Sequence, residues 1–115
     1  MSKTNIETLI TNDLETFLHY KSQKGNVSIE DAIEIAAYVG ANFLRIIFHK
    51  NKELKPEELN GVFGIISNVY NDLFQNQMTQ SDYQEIFQKA STLLKDTNFD
   101  QKSKDFFSEI VAGTD

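Results

Sequence analysis

The chain has 115 residues, 40% of them hydrophobic and nine of them Phe, which is enough for one packed core and too apolar for a disordered chain. It holds no cysteine, which excludes a disulfide framework, a thiolate metal site and a cysteine nucleophile. A net charge of −6 disfavours a phosphate backbone as partner and leaves a basic protein surface open as one.

A single domain over residues 1–115 is expected, with one proline and five glycines leaving few breaks in a helical chain. The opening MSKTNIETLI has no apolar stretch of signal-peptide length, so the expected location is cytoplasmic. Of the eleven Lys and Arg residues only Arg45 is arginine, a bias of the kind AT-rich bacterial or phage genomes produce.

The first helix is expected over residues 4–22. Thr4 and Glu7 have capping-box spacing, and Ile6, Leu9, Ile10, Leu14, Phe17 and Leu18 recur at three and four to make one apolar stripe. Gly25 is the natural left-handed position at its end.

The second helix, within VSIEDAIEIAAYVGANFLRIIFH, carries the strongest signal. Ser28 is placed to cap it with Asp31 three residues on, Glu30, Asp31 and Glu34 suit the positive end of the dipole, and Arg45, His49 and Lys50 suit the other. Asp31, Glu34, Tyr38, Asn42, Arg45 and His49 share one narrow stripe, and nearly everything else is apolar or small. Such a helix must be enclosed by neighbours on most sides. It is too short an apolar run, and holds Asn42 and Arg45, for a membrane span of about 20 apolar residues. Arg45 is either a buried pair or interface anchor or, the favoured reading, an exposed residue of the stripe with its stem lying along apolar neighbours. The following HKNKELK is read as a solvated turn.

The third helix starts at Pro56, with Glu57 and Glu58 on the dipole. Its broad apolar arc includes Leu59, Val62, Phe63, Ile66, Tyr70 and Phe74. The opposite strip, Glu57, Asn60, Gly61, Gly64, Ser67, Asn68, Asn71 and Gln75, is small, polar and nearly uncharged. Glycine inside a helix costs about 1 kcal/mol against alanine, and close approach of another backbone would compensate. Thr79 and Asp82 cap a fourth helix, onto whose Tyr83 Met78 can staple, ending near Lys95. A short fifth helix is capped by Asp100, carries Phe106, Phe107, Ile110 and Val111, and ends at Gly113. Short loops predict antiparallel neighbours, giving an all-α, single-domain, up-down bundle of four to five helices with the second at its centre and the fifth covering an end or groove.

Chemistry-bearing motifs are scarce. Glu15 and His19 stand one turn apart, but bundle metal sites use Glu-x-x-His pairs on facing helices, and the sequence has no such pair. No nucleophile elbow, phosphate loop, dinucleotide fingerprint or basic recognition helix is present. The expectation is a non-enzymatic protein without cofactor or metal. Over 35–48 the only charge is Arg45, and over 59–81 the only one is Asp72, a depletion that marks interface centres. The contact surface is therefore expected on two strips, Tyr38, Asn42, Arg45 and His49, and Asn60, Gly61, Gly64, Asn68 and Asn71. A protein partner would meet them in an inhibitor, immunity protein or adaptor; the alternatives are a homodimeric structural or regulatory domain and, less favoured, a ligand-binding or enzymatic bundle. Neither a nucleic acid nor a membrane is expected as partner. Phe43→Ala and Ile47→Ala are each expected to cost about 2–5 kcal/mol.

Overall fold

A computed structural model describes residues 2–23, 25–48, 56–75 and 77–112. They form five α-helices and, among the described residues, no strand: α1 (Ser2–Ser22), α2 (Ile29–Phe48), α3 (Pro56–Phe74), α4 (Gln80–Lys95) and α5 (Phe99–Ala112). The all-α class read from the periodicity is the fold. His49, the HKNKELK turn and Gly113 lie outside the described residues, as do the side chains of Ile6, Ile47 and Leu59.

Local chemistry sets the helix ends. Ser28 Oγ accepts from the Asp31 amide at 3.1 Å and so caps α2. At α4 the capping box is complete, with Asp82 N donating to Thr79 Oγ1 at 3.2 Å and Thr79 N donating to the Asp82 carboxylate at 2.8 Å. Gly25, at φ +139°, takes the backbone past the end of α1 where a side chain would be strained. Two starts differ from the expectation. α1 begins at Ser2, so Thr4 lies inside its first turn. α5 begins at Phe99, so Asp100 is a first-turn residue and the Asn98 carbonyl accepts the first helical bond, from Lys102 N.

Tertiary packing is organised by α2. It lies against α4 most extensively and also against α1 and α3, while α5 packs on α1 and α4. Within 32–44 only Glu34 is exposed. The main core joins Ile10 and Leu14 of α1, Ile33, Ile35, Val39 and Leu44 of α2, Val62, Ile66 and Tyr70 of α3, Ile86 of α4 and Ile110 of α5. A second cluster, Ala37, Ala41, Ala90 and Phe99, explains the intimacy of α2 with α4: alanine faces alanine, so the two backbones come close. Tyr70 is fully buried and donates to the Ala32 carbonyl at 2.7 Å, fixing α3 against the first turn of α2. Burial drives its phenol pKa far above the ordinary range.

Within the chain the glycine that another helix packs against is Gly40, onto which side chains of α3 seat. A β-carbon there would sit 3.0 Å from Phe63 Cε1 and 3.1 Å from Ile66 Cδ1, whereas nothing lies within 4 Å of one added at Gly61 or Gly64. Gly40 is thus the notch through which α3 seats on α2. The apolar stripes also contain outliers: Leu9 is 52% exposed and Leu73 46%. A stripe drawn at three-four spacing is wider than the face its neighbours cover.

Leu44, at 1% exposure, replaces the half-buried Phe43 as the telling truncation of α2. Leu44→Ala is expected to cost about 2–5 kcal/mol in urea melts, more than Phe43→Ala. Gly40→Ala should also destabilise, because overpacking of about 1–3 kcal/mol outweighs the roughly 1 kcal/mol of helix propensity gained. A Gly40→Ala protein more stable than the wild type would show that Phe63 yields freely.

Candidate functional site

The two strips singled out by charge depletion have different fates. The strip on α2 is not open surface, because α5 lies along it. Tyr38 stacks on Phe106, with ring centroids 4.1 Å apart and planes at 10°, and lies near Phe99 and Phe107 as well. Asn42 and Ser103 form a reciprocal pair. The Asn42 amide donates to Ser103 Oγ at 2.8 Å, and the hydroxyl donates back to Asn42 Oδ1 at 3.0 Å. Arg45 holds its guanidinium over the Phe99 ring at 5.1 Å and its Nε 3.7 Å from the Asp100 carboxylate.

The reading of Arg45 as an exposed stripe residue is thereby corrected. Its side chain is 22% exposed, and its Nη1 is buried with no hydrogen-bond partner among the described residues. The physical reason is Phe99, a fully buried residue that precedes the expected start of α5 and pulls the helix onto α2. His49 lies outside the described residues, so three of the four strip residues are placed, and all three contact α5.

The strip on α3 is open. Asn60, Gly61, Gly64, Asn68 and Asn71 are all exposed. Beside it runs a cleft of about 440 Å³ between α3 and α4, lined on the α3 side by Asn60, Phe63, Gly64 and Ser67 and on the α4 side by Tyr83, Phe87 and three glutamines. Phe63 and Phe87 meet edge-to-face across it at 5.3 Å. A second cleft, of about 250 Å³, joins Asn68 to Thr8, Thr11 and Asn12 of α1. The α3 strip is therefore the ridge between two shallow grooves, all of it lined by uncharged groups apart from Glu7.

The exposed His19 has its Nε2 3.2 Å from the Gln23 amide nitrogen, and no group of three or more His, Asp or Glu able to hold a metal occurs among the described residues. A cleft of about 500 Å³ between α2 and α4 brings Glu34, Tyr38, Glu85 and Lys89 together. Desolvation, reinforced by Glu34 and Asp96 and opposed by Lys102, raises the Tyr38 phenol above its usual pKa. No helix among the described residues is long and apolar enough to cross a membrane.

No known family model, no characterised protein and no solved structure matches the chain.

The turn between α4 and α5 generates a pH prediction. Asp96 accepts from the Lys102 ammonium and from the Asn98 amide, which lowers its pKa, while the same contact raises that of Lys102. A lowered carboxylate pKa contributes stability above the unfolded value of 3.8, lost as pH falls through the folded value; a raised lysine pKa contributes below 10.5, lost as pH rises through its folded value. The stability difference between wild type and Asp96→Asn should therefore be widest near neutral pH and vanish at both extremes. Because the pair is exposed it should also shrink with salt. Urea melts across pH at two ionic strengths check this.

Proposed function

We propose that this protein acts by binding another protein, as an inhibitor, immunity protein or adaptor in the cytoplasm, and that it is not an enzyme. The α3 strip of Asn60, Gly61, Gly64, Asn68 and Asn71 is the contact surface. What supports this most is the contrast between its glycines and Gly40. The fold uses Gly40 to seat the side chains of Phe63 and Ile66, whereas Gly61 and Gly64 face open space. Two exposed helical glycines cost about 1 kcal/mol each, and a partner backbone lying against the helix makes use of them. Phe63, Tyr83 and Phe87 in the adjoining cleft offer aromatic anchors beside the uncharged ridge. A partner with a basic rim around an apolar centre fits the net charge of −6.

The second reading is a homodimer through the same strip. It is favoured by the lack of charge along the ridge, since two copies of an acidic protein repel except where they carry no charge.

Gly64→Lys tests both. The structure accommodates a side chain at Gly64 without a clash, so the variant should fold and melt nearly as wild type while losing its partner. A matched control must lie off both grooves, which excludes Thr11 because it shares one with Asn68. Ser108, exposed on α5, serves instead. Affinity capture from lysate of the source organism should lose a specific protein with Gly64→Lys and keep it with Ser108→Lys. Sedimentation against concentration should show a dimer abolished by Gly64→Lys if the partner is a second copy. Association of either kind that survives Gly64→Lys undiminished contradicts the assignment of this face.

A further inference from the structure

Three polar irregularities of this fold coincide at one seam. Ser103 is buried at 6% exposure, and it is the only polar or charged residue so classed among those described. Arg45 Nη1 is the only buried side-chain nitrogen or oxygen among them that lacks a hydrogen-bond partner. The loose Arg45 to Asp100 pair is the only ion pair linking α5 to another helix among them, with Asp100 80% exposed. All three lie where α5 meets α2. Elsewhere α2 presents alanine, isoleucine, valine and leucine to its neighbours.

We propose that α5 is a hinged cover, latched to α2 by the Asn42 and Ser103 pair, which opens as a unit while α1 to α4 stay folded.

The chemistry of the two sides argues for this. Among the described residues, the part of α2 under the cover is built from groups that water can satisfy, a phenol, an amide and a guanidinium, unlike the aliphatic faces turned to α1, α3 and α4. Uncovering it lets Asn42 exchange Ser103 for water and gives the orphaned Nη1 of Arg45 a partner, so opening relieves a penalty that the closed state carries. An apolar seam would have no such compensation. The hinge is built to hold while the cover swings. Asp96 accepts from Asn98 N and from the Lys102 ammonium, and Phe99 N donates to the Asp96 carbonyl, so the 96–98 turn remains knotted. Adhesion comes from rings, Phe107 on Phe17 at 4.3 Å and Phe106 on Tyr38 at 4.1 Å, with Ile110 reaching the main core. Register comes from the polar latch, because only one placement of α5 sets Ser103 opposite Asn42. Opening needs no partner, so it stands or falls independently of the α3 contact surface.

Native-state hydrogen exchange of the full chain, read residue by residue, tests the proposal. The amides of 103–110 should exchange at one shared rate, at least tenfold faster than those of 33–44, since they open together. Ser103→Ala, which leaves the Asn42 amide without its partner, should speed exchange of α5 roughly tenfold and leave α2, α3 and α4 unchanged. The double variant Asn42→Leu with Ser103→Ala makes the seam apolar and should return α5 to the wild-type rate or slower. Arg45→Met, which removes the orphaned donor, should also slow it. Rates in α5 that equal those of α2, or that rise steadily toward Ala112 as in fraying, overturn the proposal. So does a Ser103→Ala effect spread over all helices, or a double variant as fast as the single one.

Discussion

Everything in this fold depends on the need to enclose α2. A helix with isoleucine, alanine, valine and leucine around most of its circumference cannot rest on one neighbour as an ordinary amphipathic helix does, because each uncovered aliphatic side chain forfeits about 1.5–3 kcal/mol of transfer free energy. Three helices take its apolar sides and α5 takes the polar stripe that is left. The result has a radius of gyration of 13.6 Å, close to the roughly 13 Å of a compact chain of about 100 residues.

The enclosure works because the faces of α2 differ in size as well as polarity. Toward α4 it offers Ala37 and Ala41, which meet Ala90 and bring the backbones together. Toward α3 it offers the Gly40 notch, which receives the edge of Phe63. Phe63 passes this constraint outward, since its far side meets Phe87 and sets the wall of the α3–α4 cleft. The proposed contact ridge on α3 is thus positioned by a glycine on another helix.

The starts of α2, α3 and α4 were legible because they are written in local chemistry, whereas Thr4 and Asp100 lie inside the helices they were expected to cap. Ser28, Thr79 with Asp82, Pro56 and Gly25 do what their types and spacing imply, and Lys95 ends α4 as read. The core was legible as faces, not as pairings. Periodicity marks Tyr38, Asn42 and Arg45 as polar, but only the placement of Phe99 and Ser103, some sixty residues on, reveals that α5 lies over them. An isolated serine among charges carries no sign of burial, and a lone asparagine on a stripe does not name its partner. Glycine has the same ambiguity in reverse. Gly40, hidden in an apolar run, is the one on which α3 side chains seat, while a β-carbon added at the conspicuous Gly61 or Gly64 would meet nothing within 4 Å among the described residues. Sequence also overstated Leu9, whose stripe position is right and whose neighbours simply do not reach it. The candidate strip on α3 was legible as exposed for a plain reason: it has no apolar residue to bury and no charge to pair.

α2 is the enclosed axis of the fold, and α3 seats in its Gly40 notch. The most direct measurement is the nuclear Overhauser contact between the Gly40 α-protons and the Phe63 ring in the intact protein. A β-carbon at Gly40 would lie 3.0 Å from Phe63 Cε1, so the α-proton pointing that way should give a strong cross-peak and a ring-current-shifted resonance. Absence of that cross-peak, with Gly40 at an ordinary glycine chemical shift, would contradict the packing of α3 on α2 and with it the position of the proposed surface.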